Sequence, residues 1–131
     1  MNGENFSTLD SAIIDTSSGR VDFIKIGSSV SLIKKAYEST IIDCESLPLG
    51  IDKNAKPYTK SIYVEGGDII ILASDGVVDS FSSIEMFMHY VNNERIQNVQ
   101  LLAENILEEA KGRNIKNPDD MTVIAIKVVN N

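Results

Sequence analysis

Alternating apolar and polar positions predict a β-hairpin near the start of the chain. Residues 8–15 and 21–26 have this alternation, and the turn-forming residues 16–19 lie between them. Residues 31–35 and 39–42 have a weaker pattern of the same kind. We expect them to form a second, more exposed pair of strands.

Two later segments are apolar at nearly every position, which is typical of strands that are buried on both faces. Residues 68–74 follow a half-buried strand at 58–64 and a turn at 65–67, and residues 121–129 lie near the end of the chain. We therefore expect both apolar segments to be central strands of a sheet.

Between these two segments the apolar period changes to that of amphipathic helices. Ser82 and Glu85 form a capping box, and Phe81 and Met86 occupy the staple positions, so a helix is predicted to begin at Ser82. A second apolar stripe predicts a longer helix that ends at Gly112. Its members are Val99, Leu102, Ala103, Ile106 and Ala110.

The order of elements, strands followed by two helices and a final strand, predicts an α+β domain with largely antiparallel sheets. Two central strands buried on both faces fit an antiparallel β-sandwich flanked by helices. The chain has 131 residues, of which 43% are hydrophobic. This is the size and composition of one globular unit, so residues 1–131 are expected to form a single domain.

Charge and composition narrow the function classes. With 12 basic and 19 acidic residues the net charge is -7, which disfavours nucleic acid as a partner. The apolar runs are shorter than the ~20 residues that cross a bilayer, and we expect neither a membrane segment nor a leader. Cys44 is the single cysteine and indicates no disulfide, hence a reducing cytoplasm. His89 has no partner nearby in sequence and is expected at the surface.

Acidic residues lie beside both of the apolar strands. Asp75 and Asp79 follow the first, and Asp119 and Asp120 directly precede the second. If the strands are antiparallel neighbours, these carboxylates meet at one end of the sheet, where oxygen ligands suit Mg²⁺ or Mn²⁺. Asp-Gly and Asp-Asp pairs are also common in solvated turns, so the spacing by itself leaves both interpretations open.

Other charged residues carry weaker signals. Lys25, Lys34 and Lys35 would suit a patch for a phosphoprotein, although lysines that protect edge strands from aggregation are the favoured explanation. Asp10 and Asp15 flank the first strand and are expected to be exposed.

Seven short motifs, taken in order, change the balance between these interpretations. They are FSTLD at residues 6–10, AIID at 12–15, FIKIGS at 23–28, LPLGI at 47–51, GDII at 67–70, SDGV at 74–77 and DDMTV at 119–123. Together they resemble the second part of the catalytic domain of metal-dependent serine/threonine phosphatases of type 2C, in particular a branch found in sporulation proteins. The resemblance runs over nearly the whole chain.

The resemblance implies a site with two divalent ions, Mn²⁺ or Mg²⁺, that share a bridging water. It implies that Asp75 and Asp119 are metal ligands, and that Gly76, Asp79 and Asp120 are adjacent to the ligands or surround them. Hydrolysis of phosphoserine by metal-activated water needs no covalent intermediate. No further catalytic or substrate-binding residue is assigned.

The chain also departs from the family pattern. The family's domain begins upstream with a strand whose aspartate bridges both metals, and no residue here matches it. We therefore expect the N-terminal part of the fold to be missing, with about half of the active site. Unpaired strand edges would then favour self-association or an exchange of strands between two copies.

The resemblance also suggests a biological role. The substrate would be a phosphorylated anti-anti-sigma factor, whose dephosphorylation activates a sporulation sigma factor. The parent protein would be anchored by membrane spans outside this chain, with this domain on the cytoplasmic face. The alternative is a catalytically inactive interaction module that uses the region of Lys34 and Lys35, or the two helices, as its contact surface.

Overall fold

The structure is a computed structural model that describes residues 8–27, 30–36, 38–43, 56–113 and 120–130. Within these ranges the backbone forms seven strands and three helices. They are β1 (Leu9–Asp15), β2 (Arg20–Ile26), β3 (Ser31–Lys34), β4 (Ser39–Ile42), β5 (Tyr58–Tyr63), β6 (Ile69–Ala73), α1 (Asp75–Ser80), α2 (Ile84–Asn93), α3 (Val99–Arg113) and β7 (Val123–Lys127). None of the three helices is both long and apolar enough to span a membrane.

The chain is divided into two compact units. The first comprises residues 1–29 and 42–64, and the second comprises residues 30–41 and 65–131. The first unit contains a three-stranded sheet in the order β1-β2-β5, in which both strand pairs are antiparallel. The predicted hairpin is confirmed, because β1 pairs with β2 from Leu9 opposite Ile26 to Asp15 opposite Arg20.

The hairpin turn requires a glycine. Gly19 has a φ of 78°, and a Cβ at this position would lie 2.7 Å from the carbonyl oxygen of Val64. The Val64 N–H donates to the Gly19 carbonyl, which fixes this close approach. At the other end of the turn Asp15 accepts from the hydroxyl and the N–H of Ser17, and these bonds hold the pKa of Asp15 below its usual value.

A lysine is buried in the central strand of the first sheet. Val21, Phe23 and Lys25 alternate along β2 and have no exposed surface. The Lys25 Nζ lies 3.0 Å from Asp10 Oδ1 on the neighbouring strand, so the buried ammonium is paired. The expectation that Asp10 is exposed is therefore wrong, whereas Asp15 is exposed as expected.

The second unit contains a four-stranded sheet in the order β4-β3-β6-β7. β6 lies between β3 and β7, is antiparallel to both, and is buried at all five positions, which confirms it as a central strand. β3 also lies inside this sheet and is buried from Ser31 to Ile33, so the expectation of a more exposed pair is wrong for it. β7 is at the edge of the sheet within the described residues, and Ile124 is 49% exposed, which contradicts a central position.

The three helices of the second unit share one hydrophobic core with the sheet. α2 contacts β3, α3 contacts β7, and α1 contacts both of the other helices. The stripe predicted for α3 is confirmed, because Leu102, Ile106 and Ala110 are buried, whereas the sequence pattern does not predict the short helix α1. The buried core residues are Val30, Leu32, Ile69, Ile71, Ala73, Val77, Val78, Phe81, Phe87, Val91, Leu102, Ile106 and Ala110.

The start of α2 differs from the prediction by one residue. Ser83 is the N-cap, and its hydroxyl accepts a hydrogen bond of 3.1 Å from the Met86 N–H. Glu85 is therefore the second helical residue, and the predicted capping box with Ser82 is wrong. Either serine could cap a helix that begins directly after it, Ser82 through the Glu85 N–H and Ser83 through the Met86 N–H. Phe87 and Val91 pack into the core in the helix that Ser83 caps.

A cluster around the Phe81 ring connects the three helices. Phe81, which follows α1, has its ring centroid 5.3 Å from that of Phe87 and 5.6 Å from that of Tyr90. The guanidinium of Arg113, at the end of α3, lies 4.6 Å above the Phe81 ring. The Tyr90 hydroxyl donates to the carbonyl of Asn105 at 3.3 Å, and burial raises the pKa of Tyr90 to about 12.

Removal of the Ser83 hydroxyl should destabilise the chain by about 1 kcal/mol, because the Met86 N–H loses its acceptor. Ser83→Ala is compared with Ser82→Ala by urea denaturation, and the second variant should unfold like the wild type. A larger loss of stability for Ser82→Ala than for Ser83→Ala would contradict Ser83 as the N-cap and support the helix start at Ser82.

The Tyr90 phenol should make stability depend on alkaline pH. The folded state favours the neutral phenol, so its contribution is complete below the unfolded pKa of ~10 and is lost as the pH rises through about 12. Tyr90→Phe should unfold with a shallower loss of stability in this window, measured by denaturation at a series of pH values. Equal slopes for both proteins would contradict the shifted pKa.

Candidate metal centre

The pairing of β6 with β7 brings the two acidic motifs to one end of the sheet. The strands are antiparallel, with Ala73 opposite Val123, so the residues after β6 lie beside the residues before β7. The ladder continues for one step beyond the strands, because the Ser74 N–H donates to the Thr122 carbonyl at 3.0 Å. The conditional expectation that the two strands are antiparallel neighbours is confirmed.

The hydroxyl of Ser74 adds a second connection between the motifs. It accepts the Thr122 N–H at 2.9 Å and donates to the Asp120 carbonyl at 3.5 Å. The carbonyl of the same residue accepts the N–H groups of Val77 and Val78, which form the first turn of α1. Ser74 therefore contacts the segment before β7 and also accepts hydrogen bonds from the first turn of α1.

The acidic side chains of α1 lie at the surface near this corner. Asp75 is the first residue of α1, Asp79 is one turn later on the same face, and both are exposed. Gly76, Val77 and Val78 are buried on the other side and fix the orientation of the helix. Like charges four residues apart repel by a few tenths of a kcal/mol, which a cation between them would relieve.

On the β7 side, Asp120 is exposed, and Asp119 lies outside the described residues. Carboxylate oxygens are the ligands that Mn²⁺ and Mg²⁺ prefer, so the chemical type of the donors at this corner suits a hard cation. In the ranges that the structure describes, however, no group of three or more aspartate, glutamate, histidine or cysteine residues is placed to hold a metal ion. The assignment of Asp75 and Asp119 as ligands stays a prediction.

Lys25, Lys34 and Lys35, the three lysines suggested as a patch, have different surroundings. Lys25 is fully buried with Asp10, and Lys35 Nζ lies 2.7 Å from Asp68 Oδ2. Burial, and secondarily the Arg95 guanidinium, lower the pKa of Lys34. Both β2 and β3 lie inside their sheets, so the explanation that these lysines protect edge strands is wrong.

Lys34 and Lys35 line a cavity at the opposite end of β6 from Asp75. Its volume is about 690 Å³, and the turn at residues 65–69 and the connection between α2 and α3 form its walls. Asp68 belongs to this wall and has a side chain that is only 9% exposed. It accepts from Lys35 and from the Glu65 N–H at 2.9 Å, so its charge is compensated within the turn.

Sequence analysis missed two residues that organise these ends of β6. In the sequence Ser74 is one residue of the SDGV motif, and its hydroxyl bonds to residues 46 and 48 positions away, which a local pattern does not contain. Asp68 follows two glycines and is predicted as the first residue of a strand, whereas β6 begins at Ile69. The placement of an acidic residue directly after a Gly-Gly turn is the signal that could have identified it.

Comparisons with known proteins agree with the fold. The family description "Stage II sporulation protein E (SpoIIE)" matches residues 1–129. The chain is 32% identical to the stage II sporulation protein E of Priestia megaterium over 135 residues, which covers 99% of the chain and 23% of that protein. The chain thus spans less than a quarter of this relative.

Solved structures give the same result. The phosphatase domain of the cell fate determinant SpoIIE from Bacillus subtilis superposes with a TM-score of 0.82 and 25% identity, over 95% of this chain and 58% of that one. The Mycobacterium tuberculosis serine/threonine phosphatase PstP/Ppp gives a TM-score of 0.72 at 19% identity, over 94% of this chain and 60% of the other. The α+β fold with antiparallel sheets and helices is therefore confirmed as that of these phosphatase domains.

The neighbouring lysines at the cavity should respond oppositely to loss of charge. Lys35→Gln should destabilise the chain by about 1–2 kcal/mol, because Asp68 loses its cation while it stays buried. Lys34→Gln should be neutral or slightly stabilising, because a partly buried charge beside Arg95 is removed. Thermal unfolding of the two variants checks this, and equal effects would contradict it.

Proposed function

Because the chain belongs to the stage II sporulation protein E family, we propose that it forms the C-terminal part of a metal-dependent serine/threonine phosphatase domain. The observation that carries the proposal is the junction of the two acidic motifs at one end of the β6–β7 pair. A serine-bridged corner with exposed carboxylates on both chain segments fits a site for a divalent cation.

Asp75 and Asp119 would hold the cation, with Gly76, Asp79 and Asp120 around them. Support comes from the oxygen-only donor set and from the relative in Bacillus subtilis, for whose phosphatase domain a structure described as Mn presoaked is known. When bound, Mn²⁺ or Mg²⁺ supplies a water of lowered pKa and neutralises phosphoryl oxygens. The contribution of this chain is positional. The buried face of α1 fixes Asp75, and the exposed Asp79 and Asp120 keep the corner negative and hydrated.

The substrate of the complete domain would be phosphoserine on a regulatory protein, specifically a phosphorylated anti-anti-sigma factor whose dephosphorylation activates a sporulation sigma factor. Family membership supports this assignment. The same membership supports a location in the cytoplasm, at the inner face of the membrane if the parent protein is anchored there.

A catalytically inactive interaction module is the second candidate. The observation that favours it is the cavity beside Lys34 and Lys35, which lies away from the acidic corner and offers both charge signs to a partner. The two candidates differ in their dependence on Asp75, because an interaction module has no use for a metal ligand.

Metal binding separates these candidates. We expect the chain to bind Mn²⁺ weakly, because few of the roughly six oxygen ligands come from protein. Asp75→Asn and Asp119→Asn should each abolish the binding heat in isothermal titration calorimetry. The control Asp43→Asn, an exposed carboxylate directly after β4, should bind like the wild type.

Two outcomes would contradict the proposal. Mn²⁺ binding that is indifferent to both substitutions would assign the acidic motifs to ordinary solvated turns. Loss of folding in Asp75→Asn would also be unexpected, because removal of one of two repelling carboxylates should leave the metal-free chain at least as stable. Since the chain spans 58% of the solved phosphatase domain, its own hydrolysis of a phosphoserine substrate should be near background.

A further inference from the structure

Ser74 occupies the N-cap position of α1, but its side chain does not cap the helix. It directly precedes α1 and has extended backbone angles, yet its hydroxyl makes no capping hydrogen bond to the helix. Serine is favoured at N-caps because its oxygen accepts a helix N–H, and substitution of such a cap by alanine typically costs about 1 kcal/mol. Because this capping bond is absent, the Ser74 hydroxyl is available for a partner outside α1.

The Ser74 hydroxyl crosses to the segment that precedes β7. Its oxygen accepts the Thr122 N–H at 2.9 Å, and its proton is directed to the Asp120 carbonyl at 3.5 Å. One hydroxyl thus accepts a hydrogen bond of ordinary length and makes a longer, weaker donor contact, to two backbone groups that are two residues apart. A side chain without both functions cannot replace it at this length.

The backbone of Ser74 also bonds to both the segment before β7 and α1. Its N–H donates to the Thr122 carbonyl, and its own carbonyl receives two N–H groups of α1. Asp75 is one covalent bond away from this residue. A shift of the Asp120–Thr122 backbone relative to Ser74 would therefore change the distance between Asp75 and Asp120.

We propose that Ser74 is a positioning residue, whose hydroxyl sets the spacing between the carboxylate of α1 and the acidic segment before β7. This inference rests on the proposed metal site. The inference adds to the proposed metal site a role for a residue that has no carboxylate and is not itself proposed as a ligand. Residues that orient metal ligands typically change metal affinity about 10- to 100-fold when they are removed.

The first experiment tests the contact itself without metal. Amide hydrogen exchange of the full 131-residue chain is followed by NMR for the wild type, Ser74→Ala, Ser74→Thr and Ser80→Ala. The Thr122 amide should exchange roughly 3- to 10-fold faster in Ser74→Ala, because it loses its acceptor, and at the wild-type rate in Ser74→Thr. Ser80→Ala is the matched control, since its hydroxyl donates to the Val77 carbonyl within α1. Unchanged Thr122 exchange in Ser74→Ala would overturn the proposal.

The second experiment tests the positioning role through Mn²⁺ itself. Paramagnetic broadening of the Asp75 and Asp120 amide signals is measured during titration with Mn²⁺. Ser74→Ala should need at least about 10-fold more Mn²⁺ for half-broadening, while Ser74→Thr and Ser80→Ala follow the wild type. A structural role alone would lower the denaturation midpoint of Ser74→Ala without moving this titration.

The outcomes separate the two proposals. If the wild type is broadened, Asp75→Asn is not, and Ser74→Ala titrates like the wild type, the positioning role is overturned and the metal site stands. If the wild type shows no broadening at either amide, the metal site is overturned, and the role of Ser74 toward it is overturned as well. If Ser74→Ala fails to fold, Ser74→Thr and Ser74→Cys provide the comparison. The cysteine variant should lose affinity, because a thiol is a poor acceptor and donor, and wild-type affinity in it would overturn the role.

Discussion

The antiparallel pairing of β6 with β7 is the constraint on which the rest of the second unit depends. β6 is buried at every position, so its backbone groups must be paired by neighbouring strands. Once β7 supplies that pairing, the residues after β6 and before β7 necessarily lie at the same end of the sheet. The position of the acidic corner is therefore a consequence of hydrogen bonding in the ladder.

Among the described residues, the charged side chains that are buried lie in ion pairs, whereas those at the acidic corner are exposed. Lys25 and Asp68 are nearly or fully buried, and each has an opposite charge on a neighbouring strand or turn within 3.0 Å. Burial without such partners would cost several kcal/mol for each ion. Asp75, Asp79 and Asp120, in contrast, lie at the surface. Exposed carboxylates can accept a cation without disturbing the core, whereas the buried ion pairs cannot.

The short helix α1 connects this corner with the aromatic cluster of the helical layer. Asp75 begins the helix and Phe81 follows its end, where two aromatic rings and the Arg113 guanidinium surround it. The position of Asp75 is thus fixed at both ends of α1, by Ser74 at the sheet and by Phe81 at the other helices. A six-residue helix is too short to be stable by itself, so tertiary contacts must supply its stability.

The sequence alone determined the elements whose signals are local. The first hairpin follows from alternation and the Gly19 turn, β6 from its continuous apolar run, and α3 from an apolar stripe that runs from Val99 to Ala110. The motif resemblance also determined the family. Tertiary structure decided the features for which the local sequence allows more than one outcome. These are the use of Ser83 and not Ser82 as the N-cap of α2, the position of β7 at the edge of its sheet, and the burial of Lys25 inside its sheet. In each of these cases the deciding energy comes from a partner distant in the chain, which a local pattern does not contain.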